Sequence, residues 1–224
     1  MGDIRSGPNN DPRESLEWAK AVLRSRSEKD YALAYSVVAD AAKDGSEDGK
    51  FCLGLMYARG QGVTRDLSAA AELFSRAVES GSRSAMYYLG KMYFRGYGVR
   101  KDIARAAELF AVPAKEGDAR AQYSLGLIYF EGDTVARDLD ESAKWVTLAA
   151  EHGHADAQFV LGQFYKAGCG VERNVSTSVD WLVSAAMNGN KGAQILLGNM
   201  YTNGDGVQVD RDEADRWYDM ADGK

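Results

Sequence analysis

Two groups of residues in this chain have types and spacing that could do chemistry. His152-Gly-His154 sets two imidazoles around a turn, with Glu151 and Asp156 beside them, a donor set able to hold a divalent metal. Arg95-Gly-Tyr-Gly-Val-Arg-Lys-Asp102 sets a Gly-x-Gly turn ahead of a helix-like run, as phosphate-binding loops do. Nucleophilic catalysis has less to work with. No serine or cysteine stands in a recognisable arrangement with a histidine and a carboxylate, and only two histidines exist to act as base. Cys52 and Cys169 make no Cys-x-x-Cys pair and are too few for a disulfide framework, which fits a reducing compartment.

The Gly-x-Gly turn is not unique. It recurs with first glycines at Gly60, Gly96, Gly132, Gly168 and Gly204, always 36 residues apart. Leu53, Leu89, Leu125, Leu161 and Leu197 keep the same step, as do Tyr57, Tyr93, Tyr129, Tyr165 and Tyr201. A phosphate loop is needed once, whereas five copies at a fixed interval are architecture. The third glycine of the dinucleotide fingerprint is also replaced by Arg65 and Lys101. The same register deprives the histidines of a special role. His154 holds the place of Ser82, Asp118 and Asn190, a helix-capping position, and His152 falls in a last helical turn, where a cation is favoured. No catalytic residue, metal ligand or cofactor site is assigned, and the chain is read as a non-enzyme.

The elements that carry these residues have helical period. Ala85, Leu89, Met92, Tyr93 and Gly96 mark one face of a first helix, with Gly90 beside it for close approach of a neighbour. Asp102 reads as the N-cap of a second helix, striped by Ala106, Leu109 and Phe110, and Gly117 as its left-handed terminator. Pro113 stands where other repeats have alanine and is expected to bend or loosen that helix end. Thr134 replaces a turn glycine and is expected to be strained. Residues 13–45 read as a degenerate helix pair, Glu14 to Arg24 and Asp30 to Lys43, ahead of five repeats over 46–224. Residues 1–12 read as a disordered lead-in, and Met-Gly-x-x-x-Ser matches the myristoylation pattern only loosely. The expectation is one all-α domain over 13–224 of about twelve helices, each pair stacked on its neighbours.

These residues resemble Sel-one-like repeats, relatives of tetratricopeptide repeats. Leu-Gly-x-x-Tyr-x-x-Gly-x-Gly-Val, an Asp, an Ala-rich second helix and a closing Gly carry the resemblance from Gly45 to the C-terminus. Trp145, Trp181 and Trp217 fill a place often aromatic in that family. The resemblance implies a right-handed α/α superhelical solenoid of helix-turn-helix repeats. It also implies a non-catalytic adaptor, with first helices lining a concave groove. A cysteine-rich subgroup associated with β-lactams has cysteines once per repeat, a pattern Cys52 and Cys169 do not follow.

A second stripe lies off the core face of the first helices. It reads Phe51, Leu55, Ala58; Tyr87, Lys91, Phe94; Tyr123, Leu127, Phe130; Phe159, Gln163, Lys166; Ile195, Asn199, Thr202, with Arg59, Arg95 and Arg120 flanking it. Two readings are open: packing between repeats, and anchoring of a bound peptide by aromatics and arginines. The first residue of each line suits packing. Lys91, Phe94, Leu127 and Phe130 are expected to be exposed. The candidate peptide contacts are Tyr87, Lys91, Phe94, Arg95, Tyr123, Leu127 and Phe130 on one continuous surface.

Composition narrows the partner. A net charge of −6 argues against nucleic acid, and no apolar run reaches the ~18 residues a membrane span needs. The start carries no apolar secretory segment, so the compartment expected is the cytoplasm, or the periplasm or exterior if a leader was removed. The leading expectation is a scaffold for a protein or peptide. The alternatives are a homo-oligomer docking through its ends, where Trp217 and Met220 have no following repeat to cover them, and a hydrolase with an unrecognised site.

Overall fold

The computed structural model describes residues 7–9, 11–25, 27–133 and 135–223. The described residues form twelve α-helices and no strand. The first two are α1 (Pro12–Ser25) and α2 (Tyr31–Lys43), with one 3-10 turn between them. Five pairs follow, one per repeat: α3 (Glu47–Arg59) and α4 (Leu67–Glu79), α5 (Arg83–Arg95) and α6 (Ile103–Lys115), α7 (Ala119–Glu131) and α8 (Leu139–Glu151). The last are α9 (Ala155–Ala167) and α10 (Val175–Met187), then α11 (Lys191–Asn203) and α12 (Arg211–Asp222).

The repeated residues build the turns. Each first helix ends on a left-handed glycine, Gly96 at φ 71° for α5, and the next backbone must return toward the helix it left. That return is fixed by the capping residue nine positions after the tyrosine: the Asp102 N–H donates to the Tyr93 carbonyl at 3.0 Å. Asp66, Asp138, Asn174 and Asp210 do the same for Tyr57, Tyr129, Tyr165 and Tyr201. The carboxylate of Asp102 then accepts from the Arg105 N–H at 2.9 Å, satisfying a free donor at the start of α6. The second turn glycine answers a different demand. Gly98 has φ +68°, and a Cβ there would press into the backbone carbonyl of Leu67 at the start of α4. Gly170 meets Leu139 the same way. At Gly62, Gly98 and Gly170 the turn is thus seated on the start of the preceding second helix, and only glycine leaves room. Thr134, the odd member of that set, lies outside the described residues, as do residues 1–6 of the loose acylation pattern.

The chain divides into two compact units, residues 1–112 and 113–224. In the first, α1 to α5 pack in chain order around two cores. One holds Val22, Val38 and Met56, the other Phe74, Leu89 and Leu109. Gly90 is the point of closest approach within its repeat: a Cβ would lie 2.8 Å from Cε1 of Phe110. In the second unit, α7 to α12 also pack in order. Val146, Leu161 and Phe164 fill one core, and Leu182, Leu197, Met200 and Trp217 the other. Burying a side chain of this size contributes about 1.5–3 kcal/mol, and each repeat supplies several.

Three details bear on these expectations. Asn9 and Asp11, assigned to the lead-in, are tied to α1: the Ser15 hydroxyl donates to the Asn9 carbonyl at 2.7 Å, and Asp11 accepts from the Arg13 N–H at 2.8 Å. Residues 1–6 and 10 of that lead-in lie outside the described residues. Pro113 does not shorten α6, which has the same 13 residues as α4, α8 and α10. Proline removes the N–H that would reach the Leu109 carbonyl, but its own carbonyl still accepts, from the Asp118 N–H at 2.9 Å. Trp217 is not left uncovered at the end. It is 7% exposed inside the last core with α10 and α11 residues, while Met220 is 41% exposed.

Candidate peptide-binding face

Within the N-terminal unit the stripe on α5 has a buried root and an open end. Tyr87 is half-buried, its ring 5.4 Å from that of Tyr88 and 5.8 Å from that of Phe110, so it is a packing residue first. One turn on, Lys91 is exposed. Phe94 is half-buried rather than exposed as expected, and the guanidinium of exposed Arg95 lies over its ring at 5.3 Å. Neither Lys91 nor Arg95 has a carboxylate partner among the described residues. On α3, Phe51 packs against Phe74 and Tyr88, at 5.8 and 5.5 Å, and Leu55 is buried. Arg59 ends that helix in solvent.

The C-terminal unit uses the same positions differently. Tyr123 on α7 stacks on His154 at 4.8 Å and 28°. Leu127 and Phe130 are half-buried rather than exposed. The reason at Phe130 is plain: its ring stacks on Phe164 of α9 at 5.4 Å and 26°, and Phe164 is 4% exposed in the core. Arg120 is engaged by Asp118 through two hydrogen bonds of 3.1 and 2.7 Å. Burial raises the Asp118 carboxyl, but Arg120 and two backbone N–H groups outweigh it and hold it below its ordinary value. Further along, Lys166 pairs with Asp205 at 2.5 Å, and Asn199 accepts from the Tyr218 hydroxyl at 2.8 Å. Gln163 and Ile195 remain exposed.

The histidines act as helix-end residues. Nδ1 of His154 accepts from the Ala157 N–H at 3.3 Å as the N-cap of α9. Burial lowers its pKa, consistent with a neutral ring that must offer a lone pair. His152 caps the end of α8 and meets Gln122 Oε1 through Nδ1 at 3.0 Å, while Asp156 is used by Asn190. Among the described residues no three His, Cys, Asp or Glu side chains converge to hold a metal. Burial pushes the Cys52 thiol up to about 11, so it is no thiolate nucleophile at neutral pH.

One exposed aromatic was missed from the sequence. Tyr97, at the tip of the turn after α5, is 51% exposed. Its counterpart Gln61 is buried and donates to the Tyr31 hydroxyl at 2.8 Å. An aromatic in a turn position otherwise filled by Gln, Asp or Cys was the available signal.

Capped helix pairs repeating every 36 residues and packed in order within each unit define the class: an α-solenoid of helix-turn-helix repeats. The Sel1 repeat family model matches residues 51–82, 83–118, 119–154, 155–190 and 192–221, and the chain belongs to that family. Sel1 repeats generally serve as non-catalytic scaffolds for protein–protein interaction. A Sel1 repeat protein from Oxalobacter formigenes is 31% identical in sequence, with a TM-score of 0.88 over 96% of this chain and 88% of that one. The chain is also similar to c5321, a protective antigen of uropathogenic Escherichia coli with the SLR fold. Identity there is 32% and the TM-score 0.83, over 95% of this chain but 46% of that longer one. A Sel1 repeat protein from Klebsiella pneumoniae shares the fold at 24% identity and a TM-score of 0.55, over 86% of this chain and 93% of that one. No curated protein sequence matches the chain. No described helix is long and apolar enough to cross a membrane.

Proposed function

We propose that the protein is a non-catalytic scaffold that holds an extended protein segment against the first helices of its repeats. Lys91, Phe94 and Arg95 of α5 make the main contacts, on a base formed by Tyr87. In the other unit, taken by itself, Tyr123, Leu127 and Phe130 of α7 form a less exposed line. The observation that carries the reading is the state of Lys91 and Arg95: both are exposed, Arg95 lies over the Phe94 ring, and neither has a carboxylate partner among the described residues. A guanidinium over a ring is already held in place, so ordering it on binding costs little, and its free edge can meet a carboxylate or main-chain oxygens.

The test is selection of peptides from a random displayed library against the full chain, followed by calorimetric titration of the winners. The double variant Lys91→Ala/Arg95→Ala is expected to lose ~2 kcal/mol of binding, because these contacts are central to the face. Both side chains are exposed, so the melting temperature should stay where it is. Winners that bind the double variant as tightly as the parent sink the reading.

A further inference from the structure

We infer that α5 and the turn after it, with Arg59 at the end of α3, form a docking edge for an acidic protein segment carrying several carboxylates. This names the partner chemistry of the α5 line and rests on the reading of that line as a binding face. From Arg83 to Lys101 the chain has five cations and no Asp or Glu, in a protein of net charge −6. Arg59, Lys91, Arg95 and Arg100 are exposed and without a carboxylate partner among the described residues. Several cations elsewhere are engaged, while others such as Lys43, Lys115 and Lys191 stand singly rather than along one edge. On second helices Arg76 pairs with Glu72, Arg105 with Glu108, Lys144 with Glu141 and Arg216 with Glu213. In the turns, Arg65 and Arg173 donate through Nε to the Ala58 and Lys166 carbonyls at 3.2 and 3.1 Å, closing the first helix.

Helix dipoles explain part of this edge, since Arg59 and Arg95 stand in the last turns of α3 and α5. They do not explain the rest. Glu131 holds the same place on α7, so the position does not demand a cation. Lys91 is a full turn from the helix end, and Arg100 lies beyond the second turn glycine. Lys91 and Arg95 are neighbours on one helix face, four residues apart, and Tyr97 adds an exposed ring at the turn tip. Like charges held this close repel, and a chain of carboxylates relieves the repulsion while accepting the guanidinium forks bidentately. Duplex nucleic acid fits less well, because it calls for a long basic footprint and the remainder of this chain carries surplus negative charge.

The test uses the full chain and three labelled synthetic peptides of equal length: one rich in Glu and Asp with a single Phe, one with Gln and Asn in their place, and one with Lys. Fluorescence anisotropy is expected to detect binding of the acidic peptide alone, weakening as salt rises. Arg59→Gln/Arg95→Gln/Arg100→Gln is expected to bind it at least about tenfold more weakly, because charge-assisted pairs are lost. Lys166→Gln, in the other unit, should bind as the parent does. If the triple variant melts early, the single variant Arg100→Gln is read instead, with a smaller loss expected. Equal binding of the neutral and acidic peptides, or undiminished binding by the charge variants, overturns the inference. So does tighter binding of duplex DNA or of phosphatidylserine vesicles at equal salt. The face itself is judged separately by the library selection: neutral winners that lose affinity in Lys91→Ala/Arg95→Ala leave the face standing and remove only its acidic partner.

Discussion

Several equivalent positions on α5 and on the first helices of the C-terminal unit have different fates. Lys91, Phe94 and Arg95 end in two cations that no carboxylate meets among the described residues. Two repeats later Lys166 reaches Asp205, and one repeat beyond that Asn199 is held by Tyr218. On α7, Phe130 lies on Phe164. The two units share matching caps, helix-ending glycines and Leu-Gly pairs. The difference lies in whether the off-core stripe is satisfied from within. A stripe closed by its neighbours stabilises the stack; one left open is available to something else.

The comparison fails at its root if the frames differ, and that brings the largest expected effect. Leu89 and Leu161 are buried at equivalent places, 3% and 0% exposed. Replacing either by Ala should cost ~2–5 kcal/mol in chemical denaturation, as a cavity in a packed core does. Gly90→Leu should be at least as harmful as Leu89→Ala. A costless change at Leu89 alone would mean the two units are not built alike.

The stripe gives the next contrast. Phe130→Ala removes a stacked, half-buried ring and should lower stability by ~1–3 kcal/mol, less than a fully buried aromatic. Lys91→Ala, with no partner to lose, should leave the melting temperature unchanged. Equal losses from the two would erase the distinction between closed and open stripes.

His154 adds a pH-dependent difference, because this N-cap belongs to the C-terminal unit. Burial lowers its folded pKa, and its ring faces Tyr123, with Asp156, Asp118 and Arg120 nearby. A lowered histidine pKa favours the neutral form in the folded state. Its stabilisation is therefore present above the ordinary unfolded value near ~6.5 and is lost as pH falls below it. His154→Asn, which keeps a capping oxygen, should flatten the melting temperature between neutral and mildly acidic pH. A variant with the same acid-side slope as the parent would assign that slope to other groups.

The smallest effect sharpens the same point. Lys166 is about a third exposed and its partner Asp205 more so, so breaking the pair with Lys166→Ala should cost ~0–1 kcal/mol. The loss should shrink in high salt. A salt-insensitive loss would point to packing by the lysine stem instead.

The frame was legible in the sequence because it is made of local chemistry repeated five times. Gly98 must be glycine to clear the Leu67 carbonyl, and Asp102 must cap, so both leave fixed marks at fixed intervals. The stripe was legible only as a line of positions. Whether Phe130 is exposed depends on Phe164, which lies one repeat away and two residues out of the equivalent register. Helical spacing on one repeat cannot report that meeting. Trp217 departs from the sequence expectation for a related reason: its cover comes from α10 and α11 behind it, so no following repeat is needed. Tyr97 leaves no mark in the turn pattern, because the glycines on either side set the backbone there and its role comes from the exposed side chain.

The most direct measurement of the difference between the two stripes is backbone-amide chemical-shift mapping of the isotope-labelled full chain during titration with the acidic, Phe-containing peptide. Saturable shifts should gather on α5 and on residues 96–101, with the end of α3 included, while amides of α9 and α11 stay still. Shifts centred on α9 and α11, or spread evenly over all the first helices, would contradict the account.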